Sequence, residues 1–244
     1  MIDPWLWLGL FILLSYTIEA ITGFGSIVIA LSLGAMLLPI QDMLPILVPL
    51  NVLMNSVLTL RHRQHIYWPL LLRLILPLML AGTLAGYMLS PWLSLAALKA
   101  LLGLLIVWFA GSSLMQTYQS STTTPHSLAT SRMLNFEAGL THGLFASGGP
   151  LLVYALAGVQ LDKNQTRATL ITVWLTLNLT LSGLYLLDGS LLASFHRLVW
   201  YLPLFVIGVL AGELLHHRLD EDRFRQVLYA VLLITGCLLL VRSL

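Results

Sequence analysis

The residues best equipped for chemistry cluster at two interruptions in otherwise apolar sequence. Residues 140–153 read Leu-Thr-His-Gly-Leu-Phe-Ala-Ser-Gly-Gly-Pro-Leu-Leu-Val, where Ser147, Gly148, Gly149 and Pro150 break a helix-forming run. Thr22-Gly23-Phe24-Gly25-Ser26 does the same near the start of the chain. Adjacent glycines loosen a helix, and proline removes a donor and clashes with the preceding turn. Non-helical backbone at membrane depth is tolerated only where it is buried in protein or lines a cavity. The side chains near the breaks are hydrogen-bond formers rather than nucleophiles: Ser26, Ser147, Asn51, Asn55 and Asn178, with Arg167 as a countercharge. Together with backbone N–H groups at Gly25, Gly148 and Gly149, and half-helices starting near Ser26 and Leu151, they suit an anion. A helix N-terminus offers free N–H groups and about half a unit of positive charge. The competing use is structural: a kinked packing helix, asparagines bonding between helices, and serines bonded to their own backbone.

Ionisable groups inside apolar sequence are costly and mark function. Glu19 and His142 each stand six residues before a break glycine, Gly25 and Gly148, which makes them candidates for proton coupling; a buried polar contact is the alternative. Glu137 is close to a segment start and Glu213 lies within a segment, while Arg73 and Lys99 are placed to reach the interface along their stems. The doublets His62/His65 and His216/His217 lie in basic loops without carboxylates or cysteines at ligand spacing, so no metal is expected. No Gly-x-Ser-x-Gly, Walker loop or His-Glu-x-x-His is present, and neither an enzyme nor a cofactor is expected.

The elements that carry these residues are membrane helices. The chain has 244 residues, 58% hydrophobic and 9% charged, with a mean hydropathy of +0.90; soluble domains carry roughly 25% charged residues. A net charge of +2 gives no reason to expect nucleic acid, and a single cysteine, Cys237, excludes an internal disulfide. Met-Ile-Asp-Pro-Trp lacks the basic start of a cleaved signal peptide, so the first apolar block is expected to stay. Eight hydrophobic segments follow, at 5–38, 45–60, 69–89, 95–115, 133–159, 167–187, 198–215 and 224–241. Gln41-Asp42 and Asp162-Lys163-Asn164 read as turns, and 188–197 as a connection. The fold class is therefore all-α and polytopic, with a first repeat over 1–117, a Ser/Thr-rich linker over 118–131 and a second repeat over 132–244.

The repeat rests on matched positions. A shift of 123 residues carries Gly25 onto Gly148, Asn55 onto Asn178 and Glu19 onto His142. A shift of 126 carries Pro77 onto Pro203, Gly82 onto Gly208, and Ala85-Gly86 onto Ala211-Gly212. Paired Gly/Pro-interrupted segments in two halves point to a transporter site. If segments one and five each enter and leave on the same side, one side of the membrane collects Arg61, Arg63, Arg132, Lys163, Arg167, Arg218, Arg223 and Arg225, leaving Lys99, Arg197 and Arg242 on the other. The positive-inside rule prefers this arrangement, which makes the repeats inverted and puts both termini outside.

Gly23-Phe24-Gly25-Ser26 with Pro39, Asn55, the basic loop 61–65, Gly82–Gly86, Gly139, Gly143, Gly148-Gly149-Pro150 and Arg167-Ala168-Thr169 resemble the sulfite exporter TauE/SafE family of membrane transporters over nearly the whole chain. The family's usual run of three glycines is Gly-Ser-Ile here. The resemblance implies a multi-pass transporter of the plasma (inner) membrane that exports a small sulfur-containing anion such as sulfite or a sulfonate. The anion would bind at mid-membrane between two broken helices. An anion channel and a non-transporting assembly subunit are the alternatives. The expected partners are the small anion and the lipid bilayer; a homo-oligomer stays open beside a monomer.

Overall fold

The computed structural model describes residues 3–22, 25–118, 127–156, 159, 161–216 and 221–243, and among them every regular element is helical. Gly23, Phe24 and residues 119–126 of the expected linker lie outside the described residues, as do the side chains of His216, Arg218, Arg223 and Arg225. The helices are α1 (Pro4–Thr22), α2 (Ser26–Gly34), α3 (Ile40–His62), α4 (Trp68–Leu70), α5 (Leu76–Leu89), α6 (Leu95–Tyr118), α7 (Leu128–Phe145), α8 (Gly149–Ala155), α9 (Lys163–Leu187), α10 (Ser190–His216) and α11 (Glu221–Ser243). A π-helical turn, Leu71–Ile75, joins α4 to α5. Pro77 cannot donate to the Arg73 carbonyl, so the register slips by one residue there. Six of the described helical stretches are long and apolar enough to cross a membrane, and the protein is a multi-pass integral membrane protein.

Caps set several boundaries. The Ser127 hydroxyl accepts from the Thr130 N–H at 3.1 Å and starts α7 within the expected linker. Asp162 and Gln165 form a capping box at α9. Gly189, at φ +83°, turns the chain between α9 and α10, and the Ser190 N–H donates to Asp188 Oδ1 at 2.8 Å. Partial burial works against the Asp188 carboxylate, but bonds from Ser190 and the Tyr87 hydroxyl outweigh it and hold the carboxyl below its usual range. Several expected turns and loops prove helical: Lys163-Asn164 opens α9 behind the Asp162 cap, and of the basic loop 61–65 Arg61-His62 end α3 and Arg63–His65 form a 3₁₀ turn. Gln41-Asp42 lies in the first turn of α3, where an acid favours the helix dipole. The expected loop 188–197 shrinks to Asp188-Gly189, because α10 carries His196 and Arg197 in its first turns.

The chain forms two compact units, each drawing on both sequence halves: Met1–Leu47, Leu93–Ser121 and Ala193–Leu244 in the first, Val48–Trp92 and Thr122–Leu192 in the second. In the first, α2 folds back along α1. The Ser26 N–H donates to Glu19 Oε2 at 3.1 Å, and a Cβ at Gly34 would stand 3.4 Å from Leu8. Helix α10 crosses α1 closely enough that a Cβ on Gly208 would come within 2.7 Å of the Leu13 carbonyl oxygen. The buried Tyr16 ring meets Phe205 edge-on at 4.7 Å, and its hydroxyl donates to the Leu47 carbonyl at 3.2 Å. Gly103 of α6 and Gly236 of α11 let those helices touch.

In the second unit, α5 and α7 interlock by backbone. Added Cβ atoms at Gly82 and Gly86 would overlap the Phe136 and Leu140 carbonyl oxygens, and at Gly139 and Gly143 those of Met79 and Thr83. Helix α8 folds back along α7: Gly148 packs on Ala138 and the Ser131 hydroxyl donates to the Ala155 carbonyl at 3.2 Å. Met79, Ala138, Leu152, Val173 and Leu177 close the core beneath this hairpin.

Candidate functional site

The second unit gathers most of the polar residues singled out in the sequence. Asn51 and Asn55 are one turn apart on α3 and therefore share a face. Asn51 Oδ1 accepts from the Asn178 Nδ2 of α9 at 2.7 Å and also from the Asn55 Nδ2. All three asparagines are buried. This arrangement turns the Asn178 carbonyl oxygen away from Asn51, where it is buried without a hydrogen-bond partner.

The tip of the α7–α8 hairpin adds the next groups. Helix α7 ends at Phe145, and Ala146 takes a left-handed conformation at φ 49° with its N–H on the His142 carbonyl. Non-glycine residues rarely adopt that conformation. Ser147 and Gly148 follow, and α8 begins at Gly149. The Ser147 hydroxyl is buried and unpartnered. His142, 1% exposed, stacks on Trp174 of α9 with ring centroids 5.8 Å apart and planes 16° apart. Neither ring nitrogen of the imidazole has a hydrogen-bond partner. Each such orphan costs about 1–3 kcal/mol, and a group of them calls for a ligand, water or ion.

Other expectations come out differently. In the first unit, Gly25 is left-handed at φ +100° and Ser26 opens α2, but the Ser26 N–H is taken by the Glu19 carboxylate. The chain thus fills that helix end with its own anion. Helix α8 has only seven residues, too short to present a substantial dipole. Arg167 lies exposed in the first turn of α9, apart from the buried asparagines. Close backbone approach belongs to Gly148, where a Cβ would overlap the Ala138 carbonyl oxygen. At Gly149 an added Cβ meets only Trp174, at 3.6 Å. Trp174 is the residue that reading for polar groups passes over. Its position one helical turn before Asn178 was the available signal. Among the described residues no cluster of His, Cys, Asp or Glu could hold a metal.

The family model for Sulfite exporter TauE/SafE matches residues 8–239. No curated protein and no solved structure matches the chain.

Proposed function

From the premise that this chain belongs to the sulfite exporter TauE/SafE family, we propose that it is a secondary transporter exporting a small sulfur-containing anion, sulfite or a sulfonate. The observation that carries the site is the buried, unpartnered imidazole of His142 stacked on Trp174, one helical turn from Asn178 of the Asn51–Asn55–Asn178 network, with the buried, unpartnered Ser147 hydroxyl five residues further along the chain. A sulfonate's oxygens would accept from the serine hydroxyl and an imidazole N–H. Arg167, at the exposed start of the same helix, would act on the approaching anion.

The reading includes a duplicated, inverted architecture of eight segments: α1–α2, α3, α4–α5, α6, α7–α8, α9, α10 and α11. Two features support it. The matched glycine pairs Gly82/Gly86 and Gly208/Gly212 lie on third segments, and each packs on the first segment of the other half, α7 and α1. Both first segments fold into helical hairpins whose short arm runs back toward its starting side. The long arms, 19 residues in α1 and 18 in α7, are about 27 Å at 1.5 Å per residue. With no nucleotide-binding loop in the chain, a gradient must drive transport. An anion leaving an inside-negative cell gains about 2.3 kcal/mol per charge per 100 mV.

The test is counterflow in proteoliposomes loaded with unlabelled sulfite or ethanesulfonate. Uptake of the labelled anion should saturate and be accelerated by anion inside, and Ser147→Ala together with Asn178→Ala should lose it. Linear, non-exchanging flux would replace the carrier with a channel. Absence of flux and of anion-dependent thermal stabilisation would favour an assembly subunit.

A further inference from the structure

We propose that His142 takes up a proton when the anion binds, so that anion and proton cross together and each turnover moves one negative charge fewer than the anion bears. This rests on the reading of the site given above. Its basis is geometric. The imidazole is buried at the last turn of α7, stacked on Trp174, and neither nitrogen is committed to a hydrogen bond. Asn178 directs its amide nitrogen to Asn51 and so leaves its carbonyl oxygen as the acceptor next to the ring. An imidazolium has two N–H donors. One would meet the Asn178 carbonyl and the other an anion oxygen, which removes three of the buried orphans at once.

Charge decides the order of events. An imidazolium alone in this position carries a desolvation penalty of several kcal/mol, and so does an anion alone. Together they form a neutralised, hydrogen-bonded pair. The charged and titratable side chains on elements packed against α7 are Arg73 in the π-turn, Tyr87 on α5, Tyr154 on α8, and Lys163, Arg167 and Tyr185 on α9; Arg132 and Glu137 belong to α7 itself. Of these only Glu137 is a carboxylate, five residues before His142 and well round the helix from it, so the incoming anion supplies the countercharge. Glu19, its match in the first half, is not an equivalent proton carrier here, because its carboxylate caps α2 through the Ser26 N–H. A dianion accompanied by one proton still carries net negative charge and still leaves down the membrane potential, whereas a monoanion with one proton crosses without net charge.

Ethanesulfonate is the suitable probe, because a sulfonate keeps its charge across the range in which histidine titrates. Calorimetric titration of the purified protein in buffers of unlike ionisation enthalpy should show uptake of about one proton per anion near pH 8. The Kd should rise about tenfold per pH unit above the histidine range. His142→Gln keeps a hydrogen-bonding side chain but cannot gain charge; it should bind more weakly, with no proton uptake and a flat pH profile. His142→Asn serves the same purpose if the glutamine variant does not fold. Binding by the wild type with no proton uptake overturns the linkage and leaves the transport reading standing. Uptake that persists in the His142 variants overturns the assignment to His142. If neither ethanesulfonate nor sulfite binds the wild type, the reading of the site falls, and the linkage with it.

Discussion

Asn51 is the acceptor on which two buried amides depend, and this makes the three asparagines unequal. Asn51→Ala strands the Nδ2 groups of both Asn55 and Asn178. Asn178→Ala leaves Asn51 still bonded to Asn55 and deletes an oxygen that has no partner. With about 1–3 kcal/mol for each orphaned buried group, Asn51→Ala should lower the thermal midpoint in detergent clearly more than Asn178→Ala, while Asn178→Ala should be the more harmful to anion binding relative to its stability. Equal midpoints would disprove the network as drawn. The glycines are unequal too. Gly148→Ala drives a methyl into the Ala138 carbonyl and should cost about 1–3 kcal/mol; Gly149→Ala has room beside Trp174 and should express and melt like the wild type. At this scale the Asn51/Asn55 spacing was legible because one helical turn separates them, and Asn178 because it recurs at the repeat distance. The occupant of the α2 end was not legible. Glu19 reaches Ser26 across a break, and helical periodicity does not extend through one. Ser147 and Gly148 were recognisable as a break, but only coordinates separate the glycine that must be small from the one that need not be.

Elements were legible where apolar sequence ran unbroken, and misread where polar residues sat inside a helix end, as at Lys163-Asn164 in the first turn of α9. Gln41-Asp42 and His196-Arg197 looked like connections. A first-turn acid is favoured by the helix dipole, and Arg197 is held over the Trp5 ring at 3.9 Å, so both runs remain helical. Which helices pair is encoded more faintly, in small residues four apart. Gly82 and Gly86 on α5 face Gly139 and Gly143 on α7, a reciprocal contact in which each helix offers glycines to the other's carbonyls. Gly208 and Gly212 on α10 face Leu13, Thr17 and Ala20 on α1, a one-sided contact. A methyl added to the reciprocal contact has nowhere to go without separating two backbones. At Gly208 the overlap is milder, 2.7 Å from the Leu13 carbonyl oxygen against 2.2 Å from the Phe136 carbonyl oxygen at Gly82. Gly82→Ala should therefore reduce folded yield and thermal midpoint more than Gly208→Ala, measured side by side on fluorescent-protein fusions by size-exclusion chromatography. The reverse order would mean that α10, not α5, makes the tighter crossing.

On the scale of the whole molecule, hydropathy revealed the membrane class but not the partition into units, because every apolar segment looks alike to it. The units interleave the sequence halves, and only the glycine contacts say which segment of one half meets which of the other. The hairpins bear on topology. Each short arm returns toward the level where its long arm began: Ala155 lies by Ser131 and Gly34 by Leu8. On the inverted reading proposed above neither hairpin counts as a crossing, and three crossings in each half, an odd number, invert the second half relative to the first. On that reading the sequence order assigns Arg61, Arg63, Arg132, Lys163, Arg167, Arg218, Arg223 and Arg225 to one side, against Lys99, Arg197 and Arg242 on the other. A basic excess of this size retains loops in the cytoplasm, so the proposed arrangement has both termini outside. A C-terminal green fluorescent protein should accordingly be dark and a C-terminal alkaline phosphatase active, while a cysteine placed at Gln64 should be labelled by a membrane-impermeant maleimide only after the cells are opened, with Cys237 first replaced by serine. Bright fluorescence at the C-terminus together with labelling of Gln64→Cys in intact cells would reverse the orientation. A bright C-terminus with residue 64 still protected would place the C-terminus and that loop on the same side, requiring a full crossing by the second hairpin, α7–α8, and removing the matched pair of returning hairpins on which the inverted arrangement rests.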